Sequence, residues 1–480
     1  MLDLAVTTAR ILVLLWGINL APPLAAFALE DRWATPIDRG RRFSDGAALF
    51  GSHKTFRGLL AGLLAGPLLG ALLLFPVWVG LVSGLLCMLG DVLTSFVKRR
   101  FKLAPGSELP ALDHCLEGIL PLGILSLHLQ LSLGQTLLIL LLFLLGGWYG
   151  SRLYRRVLFK APFPAYPRRI SPRTRVKELA SCRQKPTLWS ALVHFEEAVY
   201  YHLVLASCLR LCGLYERGRQ NALAFRLNSY QASLPDLPDA FEGYRILFLS
   251  DLHLDGLTGL TERLIGLLGK AEADLCILGG DYRMSTYGSP KAGLPQLQRL
   301  LKTLKPSDGV VAVMGNHDCL EMIEELHSFG VRVLINEAET ISRGDDRLYI
   351  VGVDDPHYYR CHDLQTAFAG VPEQAASILA AHSPALFEQA RQHQASLYLT
   401  GHTHAGQIQL PWLGMVYKHC SAPKRFCQGP WEHGGMLGYT SAGVGVSGVP
   451  VRYNCQGEVV LFRLTRGQPG LHRLEPQAEA

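Results

Sequence analysis

Arg245-Ile246-Leu247-Phe248-Leu249-Ser250-Asp251-Leu252-His253 is the stretch that decides the fold of the C-terminal half. A short apolar run ending in Asp-x-His reads as a buried strand delivering two side chains at its C-terminal tip. Alternation along an extended chain puts Asp251 and His253 on one side, within reach of a single ion. Four further fragments repeat the arrangement in order. Gly280-Asp281 follows Leu275-Cys276-Ile277-Leu278, and Gly315-Asn316-His317-Asp318 follows Val310-Val311-Ala312-Val313. His382 follows Ile378-Leu379-Ala380-Ala381, and Gly401-His402-Thr403-His404 follows Leu397-Tyr398-Leu399. Each places Asp, Asn or His just after a strand-like run, with glycine at three sites letting the backbone turn sharply.

Taken together, Asp-x-His, Gly-Asp, Gly-Asn-His-Asp, His and Gly-His-x-His resemble the calcineurin-like metallophosphoesterase superfamily over roughly residues 240–465. The resemblance implies an α/β fold, a two-sheet sandwich flanked by helices with metals at the strand ends. It further implies that Asp251, His253, Asp281 and His404 hold one cation. Asp281 would bridge to a second, held also by Asn316, His382 and His402, and His317 would be the acid or hydrogen-bond donor to the leaving oxygen. Two divalent cations clamp phosphate oxygens and activate a water near neutral pH. Carboxylates and a carbonyl oxygen suit hard ions, while imidazoles admit Mn, Fe or Zn.

The chain has 480 residues, too many for one expected domain. Hydrophobic residues make up 49% and charged residues 18%, with a mean hydropathy of +0.18, which is apolar for a purely soluble protein. Charge is uneven: residues 1–180 carry 20 Lys+Arg against 10 Asp+Glu, the remainder 26 against 30. A basic, apolar first half reads as a polytopic helical membrane domain, and the mildly acidic second half as a soluble one. The eleven cysteines form no Cys-x-x-Cys pair, and the reading is of core thiols in a reducing compartment.

Apolar spans are expected at about 4–28, 58–79, 80–97, 118–133 and 135–150. Ala26-Phe27-Ala28 also fits a signal-peptide cleavage site, a reading that the following spans disfavour. Gly58, Gly62, Gly66 and Gly70 form a ridge for close helix approach. Basic residues gather between spans one and two, three and four, and after span five, and the intervening turns carry none. The positive-inside rule then predicts a multi-pass inner-membrane protein whose C-terminal domain is cytoplasmic.

The same loops hold Phe50-Gly51-Ser52-His53-Lys54-Thr55-Phe56-Arg57-Gly58, followed by Gly90-Asp91 inside a span and Ser95-Phe96-Val97-Lys98-Arg99-Arg100. An aspartate inside an apolar span suggests function by default. Lys54, Arg57, Lys98 and Arg99 suit phosphates, and Asp91 with Asp113 suits magnesium. This arrangement resembles the CDP-archaeol synthase family, membrane enzymes that join CTP to a lipid phosphate with release of pyrophosphate, over roughly residues 1–160. The family usually continues Gln-x-Asp after its Leu-Asp; here Leu112-Asp113 runs on as His114-Cys115-Leu116-Glu117. Glu117 lies four residues beyond Asp113, on the same face if the segment is helical.

The expected domains are a membrane domain at 1–160, a basic linker with an amphipathic helix at 161–240, a phosphoesterase domain at 241–465 and a loose tail at 466–480. Residues 188–214 read as the amphipathic helix and Gln231–Gly243, with Pro235 and Pro238, as a second linker. Asp354 and His357 read as an Asp-capped turn in preference to substrate contacts. The expected activity is a metal-dependent hydrolase of a phosphoester or phosphoanhydride, fused to a CTP- and Mg-dependent cytidylyltransferase. The alternative makes the membrane half a non-catalytic anchor and lipid-binding module. The expected partners are divalent metals, the membrane and a lipid or nucleotide-lipid substrate, with no nucleic acid; a transporter fits less well, because the charges gather on one face.

Overall fold

The computed structural model describes residues 2–29, 32–103, 114–158, 174–178, 204–269, 271–286, 289, 293–415 and 417–475. The chain divides into two compact units, residues 1–160 and 161–480.

The first unit is helical: α1 (Leu2–Leu29), α2 (Phe56–Leu72), α3 (Val77–Arg100), α4 (Cys115–His128) and α5 (Leu133–Leu158). Thr55 starts α2, its hydroxyl accepting the Gly58 N–H. The glycine ridge faces α3 closely enough that a Cβ on Gly66 would lie 2.3 Å from the Gly80 carbonyl oxygen. The second span is shorter than expected: α2 stops at Leu72, and α3 starts at Val77 behind Pro76. Proline tolerates a helix start because the first N–H groups lack intrahelical partners. Leu4–Leu29, Val77–Arg100 and Leu133–Leu153 are long and apolar enough to cross a membrane. With 17 and 14 residues, α2 and α4 fall short of the ~20 that a bilayer core asks of a perpendicular helix.

In the second unit, α6 (Ala206–Leu211) and α7 (Tyr215–Leu223) precede β1 (Arg226–Leu234). Then follow β2 (Arg245–Leu249), α8 (Leu260–Leu268), β3 (Leu275–Leu278), α9 (Leu294–Leu301), β4 (Val310–Ala312), α10 (Met322–Ser328) and β5 (Val331–Val333). Next come β6 (Glu337–Arg343), β7 (Asp346–Gly352), α11 (Leu364–Ala367), β8 (Ser377–Ala380), α12 (Phe387–Gln392) and β9 (Leu397–Thr400). The hairpin β10 (Gln409–Leu410) and β11 (Gly414–Met415) stands apart from the large sheets. The chain closes with β12 (Gly429–His433), β13 (Met436–Thr440), β14 (Glu458–Arg466) and β15 (Gly470–Leu474).

One sheet runs β15-β1-β14-β2-β3-β4-β5, the other β12-β13-β9-β8-β7-β6. Alternation on β2 explains the layering. Ile246 and Phe248 enter the core between the sheets, with Ile350, Ile378 and Leu399 from the second sheet. Leu247 and Leu249 face the helical layer with Leu264, Leu297 and Leu326. A third core covers the outside of the second sheet around Tyr398, Phe426 and Trp431. Strands buried on both faces read as continuous apolar runs, which is why β2, β3, β8 and β9 were legible.

Three expectations need correction. The linker reading of Gln231–Gly243 fails at its start, because β1 pairs with β14 from Arg226↔Glu458 to Leu234↔Arg466. Tyr230, Ala232 and Leu234 alternate into the inter-sheet core, and Pro235 and Pro238 stand just beyond the strand, ending it. The tail reading of 466–480 fails at Gly470–Leu474, which pairs antiparallel with β1. An edge strand keeps one side in water, so its polar residues concealed it. Finally, Cys319 is disulfide-bonded while nine other cysteines are free, so the cysteines no longer argue for a reducing compartment. Most of the expected 188–214 helix (188–203) lies outside the described residues; within the remainder, Ala206–Leu211 is helical.

Candidate metal centre

The five motif tips meet at the C-terminal ends of β2, β3 and β4 in one sheet and β8 and β9 in the other. Asp251, His253, Asp281, His382, His402 and His404 are all buried. Five of them, all but His382, adopt positive φ. Left-handed backbone at non-glycine residues is strained and gathers at functional sites. The glycines between them make room. A Cβ on Gly401 would lie 2.2 Å from Asp251 Oδ2, and one on Gly315 2.2 Å from Asp281 Oδ1.

The donor atoms form overlapping groups, Asp251–His253–His404, His253–Asp281–His317 and Asp281–His382–His402. Asp281 Oδ2 lies 3.1 Å from His382 Nε2, 3.7 Å from His253 Nε2 and 3.8 Å from His317 Nε2. Asp251 Oδ1 lies 3.4 Å from His404 Nε2 and 4.0 Å from His382 Nε2. Backbone carbonyls fix the rings. His253 Nδ1 donates to Arg283 O at 2.7 Å and His382 Nδ1 to Gly279 O at 2.8 Å, which leaves each Nε2 lone pair facing inward. His402 Nε2 donates to His419 O at 3.0 Å, freeing Nδ1 instead. Locking the distal nitrogen in this way fixes the tautomer of a metal-binding imidazole.

Asn316 Oδ1 supplies the test of fit. It is buried and has no hydrogen-bond partner among the described residues. A buried amide oxygen left unpaired costs about 1–3 kcal/mol, and a hard cation would satisfy it. The oxygen-and-imidazole donor set suits Mn, Fe or Zn.

Burial pushes His382 down, but the Asp281 and Asp251 carboxylates outweigh it and raise it to about 10. Burial pushes the Asp251 carboxyl up. Burial also pushes up on Asp281, but His382, His317 and His253 together outweigh it and hold that carboxyl well below its usual range. His402 and His404 are driven well below theirs by burial, with cationic neighbours adding to it. His317 donates Nδ1–H to the Met284 carbonyl, presents Nε2 to the cavity and is pushed down to about 3, chiefly by burial. The cavity, about 720 Å³, has Asp281, Asn316, His317, His402 and His404 at one end. Leu205, Ile408, Leu410 and Val449 form an apolar wall at the other. His357 lines it beside His402, ring centroids 4.2 Å apart, while Asp355 caps the turn through the N–H groups of His357, Tyr358 and Tyr359.

The helical unit holds a second cavity of about 630 Å³ lined by Asn19, Lys54, Asp91, His114, Glu117 and Phe143, among others. Lys54 Nζ is ion-paired with Asp91 Oδ1, and His114 Nδ1 lies 3.3 Å from Glu117 Oε2. Arg57 turns away and donates to Arg32 O at 2.7 Å. Lys98 and Arg99 sit in the last turn of α3 and do not line this cavity; Asp113 lies outside the described residues.

The family model for the calcineurin-like phosphoesterases matches residues 244–406, and that for CDP-archaeol synthase matches 11–148. The phosphodiesterase YaeI of Escherichia coli (strain K12) is 30% identical over 230 residues, 46% of this chain and 82% of that protein. The chain belongs to the calcineurin-like phosphoesterases. The phosphoesterase is also similar to the uncharacterized metallophosphoesterase YkuE of Bacillus subtilis (strain 168), 27% identical over 48% of this chain and 81% of the relative. A transmembrane protein with metallophosphoesterase domain from Danio rerio is 29% identical over 46% of this chain and 53% of its own length.

Two residues of this phosphoesterase site escaped sequence reasoning. Asp318 accepts the N–H groups of Asp281, Tyr282 and Gly315. Its signal was present, the last letter of Gly-Asn-His-Asp. Arg452, wholly buried, donates to the carbonyls of Ala442, Gly443 and Gly445 and reaches His404 Nδ1 at 3.4 Å. No motif surrounds it, so nothing in the sequence marked it.

Proposed function

We propose that the chain is a membrane-anchored, two-metal hydrolase of a phosphoester or phosphoanhydride on a lipid-linked substrate, acting at the cytoplasmic face of the inner membrane. The observation that carries this reading is the convergence of Asp251, His253, Asp281, Asn316, His382, His402 and His404, with Asp281 shared between donor groups and the Asn316 oxygen unpaired. Two divalent cations held there would neutralise the phosphate and make water nucleophilic near pH 7. Asp281, shared between the donor groups, would take part in holding both. His317 offers Nε2 at the cavity edge, beside Asp281; the negative charge of a bound phosphate would favour its imidazolium, which could then hand the Nε2 proton to the leaving oxygen. The helical unit supports a companion activity, transfer of a cytidylyl group from CTP to a lipid phosphate with Mg, through Lys54, Asp91 and Glu117 in one cavity.

The test is hydrolysis of bis-p-nitrophenyl phosphate by the full chain with and without chelator. Activity should require a divalent cation, and Asp281→Ala should abolish turnover and lose both metals. Wild-type-like turnover in chelator would overturn the assignment. One observation favours a second reading, a lipid-binding anchor without transferase activity: Lys54 already neutralises Asp91, and Glu117 is engaged by His114.

A further inference from the structure

The hairpin β10–β11 pairs Gln409 with Met415 and Leu410 with Gly414, leaving Pro411-Trp412-Leu413 as its tip. Trp412 is 103% exposed and Leu413 72%, with Leu410 and Tyr417 also exposed at its base. Folding alone gives no reason to present an indole and an isobutyl group to water. The tip is no isolated accident, since the segment beside it is apolar too. Leu205 and Leu209 pack with Ile408 against Val449 and Val451, while Val204, Leu211 and Leu214 of the same segment face outward. Contiguous apolar surface of this kind marks an interaction site.

What the surface meets follows from the cavity behind it. Leu410 and Tyr417 belong both to the exposed hairpin and to the cavity wall, which continues through Ile408 and Leu205 to Asn316 and His402. An apolar lip opening onto a polar, metal-binding end fits an amphiphile, headgroup inward and chain outward. The tip also has the composition of the membrane interface: Trp and Tyr with an aliphatic neighbour, followed by Lys418. The same chain carries helices long and apolar enough to cross a membrane.

We propose that the Gln409–Met415 hairpin inserts its Trp412–Leu413 tip into the lipid bilayer. The wall behind it then receives the acyl part of a membrane substrate as the phosphate enters the metal centre. The insertion stands on the exposed tip with its apolar surroundings and needs no turnover; the substrate clause rests on the hydrolase reading above. A second copy of the chain or a protein partner covering the tip are the rival outcomes.

The test uses the full chain in proteoliposomes with p-benzoylphenylalanine replacing Trp412. Irradiation should attach lipid to the 409–418 peptide, read by mass spectrometry, and should attach none when the same group replaces the exposed Glu432. A covalent dimer, an adduct to another protein or no adduct at all would overturn insertion. In a second arm, W412S/L413S should slow hydrolysis of a vesicle-embedded lipid phosphodiester about tenfold. Hydrolysis of aqueous bis-p-nitrophenyl phosphate should stay unchanged, which also reports that the variant is folded. Equal rates on vesicles for variant and wild type would sink the substrate clause. The crosslink needs no turnover, so it reads insertion even where the hydrolase assignment fails.

Discussion

Asp318 holds Asp281 by its backbone: Oδ2 accepts the Asp281 N–H at 2.7 Å and, through the same oxygen, the Gly315 N–H at 2.8 Å. Oδ1 takes the Tyr282 N–H at 2.9 Å. One side chain thus pins the tip of β3 to the tip of β4, and with them the Asp281 carboxylate to the Asn316 loop. Burial and the Asp281 charge push the Asp318 carboxyl up to about 6, a cost tolerated for three N–H partners. Asp318→Asn offers one oxygen and an amide that must face an N–H. We expect a loss of about 1–3 kcal/mol in urea unfolding. Metal affinity measured calorimetrically should fall about 10–100-fold, as for other residues that support metal ligands. Unchanged metal affinity would remove Asp318 from this role.

Gly401 sets a steric limit at the other strand end. A Cβ there would fall 2.0 Å from Ser250 Oγ and 2.2 Å from Asp251 Oδ2, both fully buried and unable to swing into water. Gly401→Ala should therefore displace Asp251, lowering bound metal below wild-type stoichiometry by elemental analysis and cutting phosphodiester turnover. Gly266→Ala is the control, on α8 where a Cβ meets nothing within 4 Å. It should gain roughly 0.5–1 kcal/mol and leave metal content alone. Full metal occupancy in Gly401→Ala would show that the loop can yield.

The candidate metal ligands were legible because chemistry and packing wrote the same signal. Each except His382 sits where an apolar run, buried on both faces, meets a glycine or a positive-φ turn, so Asp251, Asp281 and His402 announce themselves locally. The sheet edges were not. β1 and β15 are half-exposed, and their pairing joins residues more than 200 positions apart, Arg226 with Glu458 and Tyr230 with Arg473. Arg452 was invisible for a related reason: its partners are carbonyls, which every residue carries. In the helical half, Asp91 was singled out by its cost inside an apolar span and Lys54 as a loop cation suited to phosphate, yet sequence could not tell that Arg57 would donate to the Arg32 carbonyl.

His317 is the residue whose role kinetics can separate from structure. Its Nδ1 is committed to Met284 and its Nε2 faces the cavity, so His317→Gln should keep the metals and lose proton transfer. A general acid is worth about 10²–10⁴-fold. The loss should be largest for alkyl phosphodiesters and shrink for p-nitrophenyl esters, whose leaving group needs no proton. Equal losses on both would make His317 a structural residue, whose imidazole anchors the loop at the Met284 carbonyl and so sets the backbone N–H that Asp281 accepts at 2.9 Å.

The helical half yields to a comparison of three carboxylate and lysine variants. Lys54, Asp91 and Glu117 line one cavity, and the resemblance to CDP-archaeol synthase predicts a nucleotide's phosphates and magnesium there. If Glu117 supplies the carboxylate that the Asp113-His114-Cys115-Leu116 run fails to provide, Glu117→Gln should raise the magnesium needed for half-maximal transfer from CTP to a lipid phosphate. Asp91→Asn should abolish transfer. Lys54→Ala should do the same and also lower thermal stability, because it leaves Asp91 unpaired within an apolar helix, where a lone charge is costly. Radiolabelled CTP and membranes bearing each variant give the rates; melting in detergent gives the stability. A magnesium dependence in Glu117→Gln equal to wild type removes it as a ligand. Absence of any CTP-dependent product from the wild type, with Lys54→Ala still destabilised, makes the Lys54–Asp91 pair a structural element of a lipid-binding anchor.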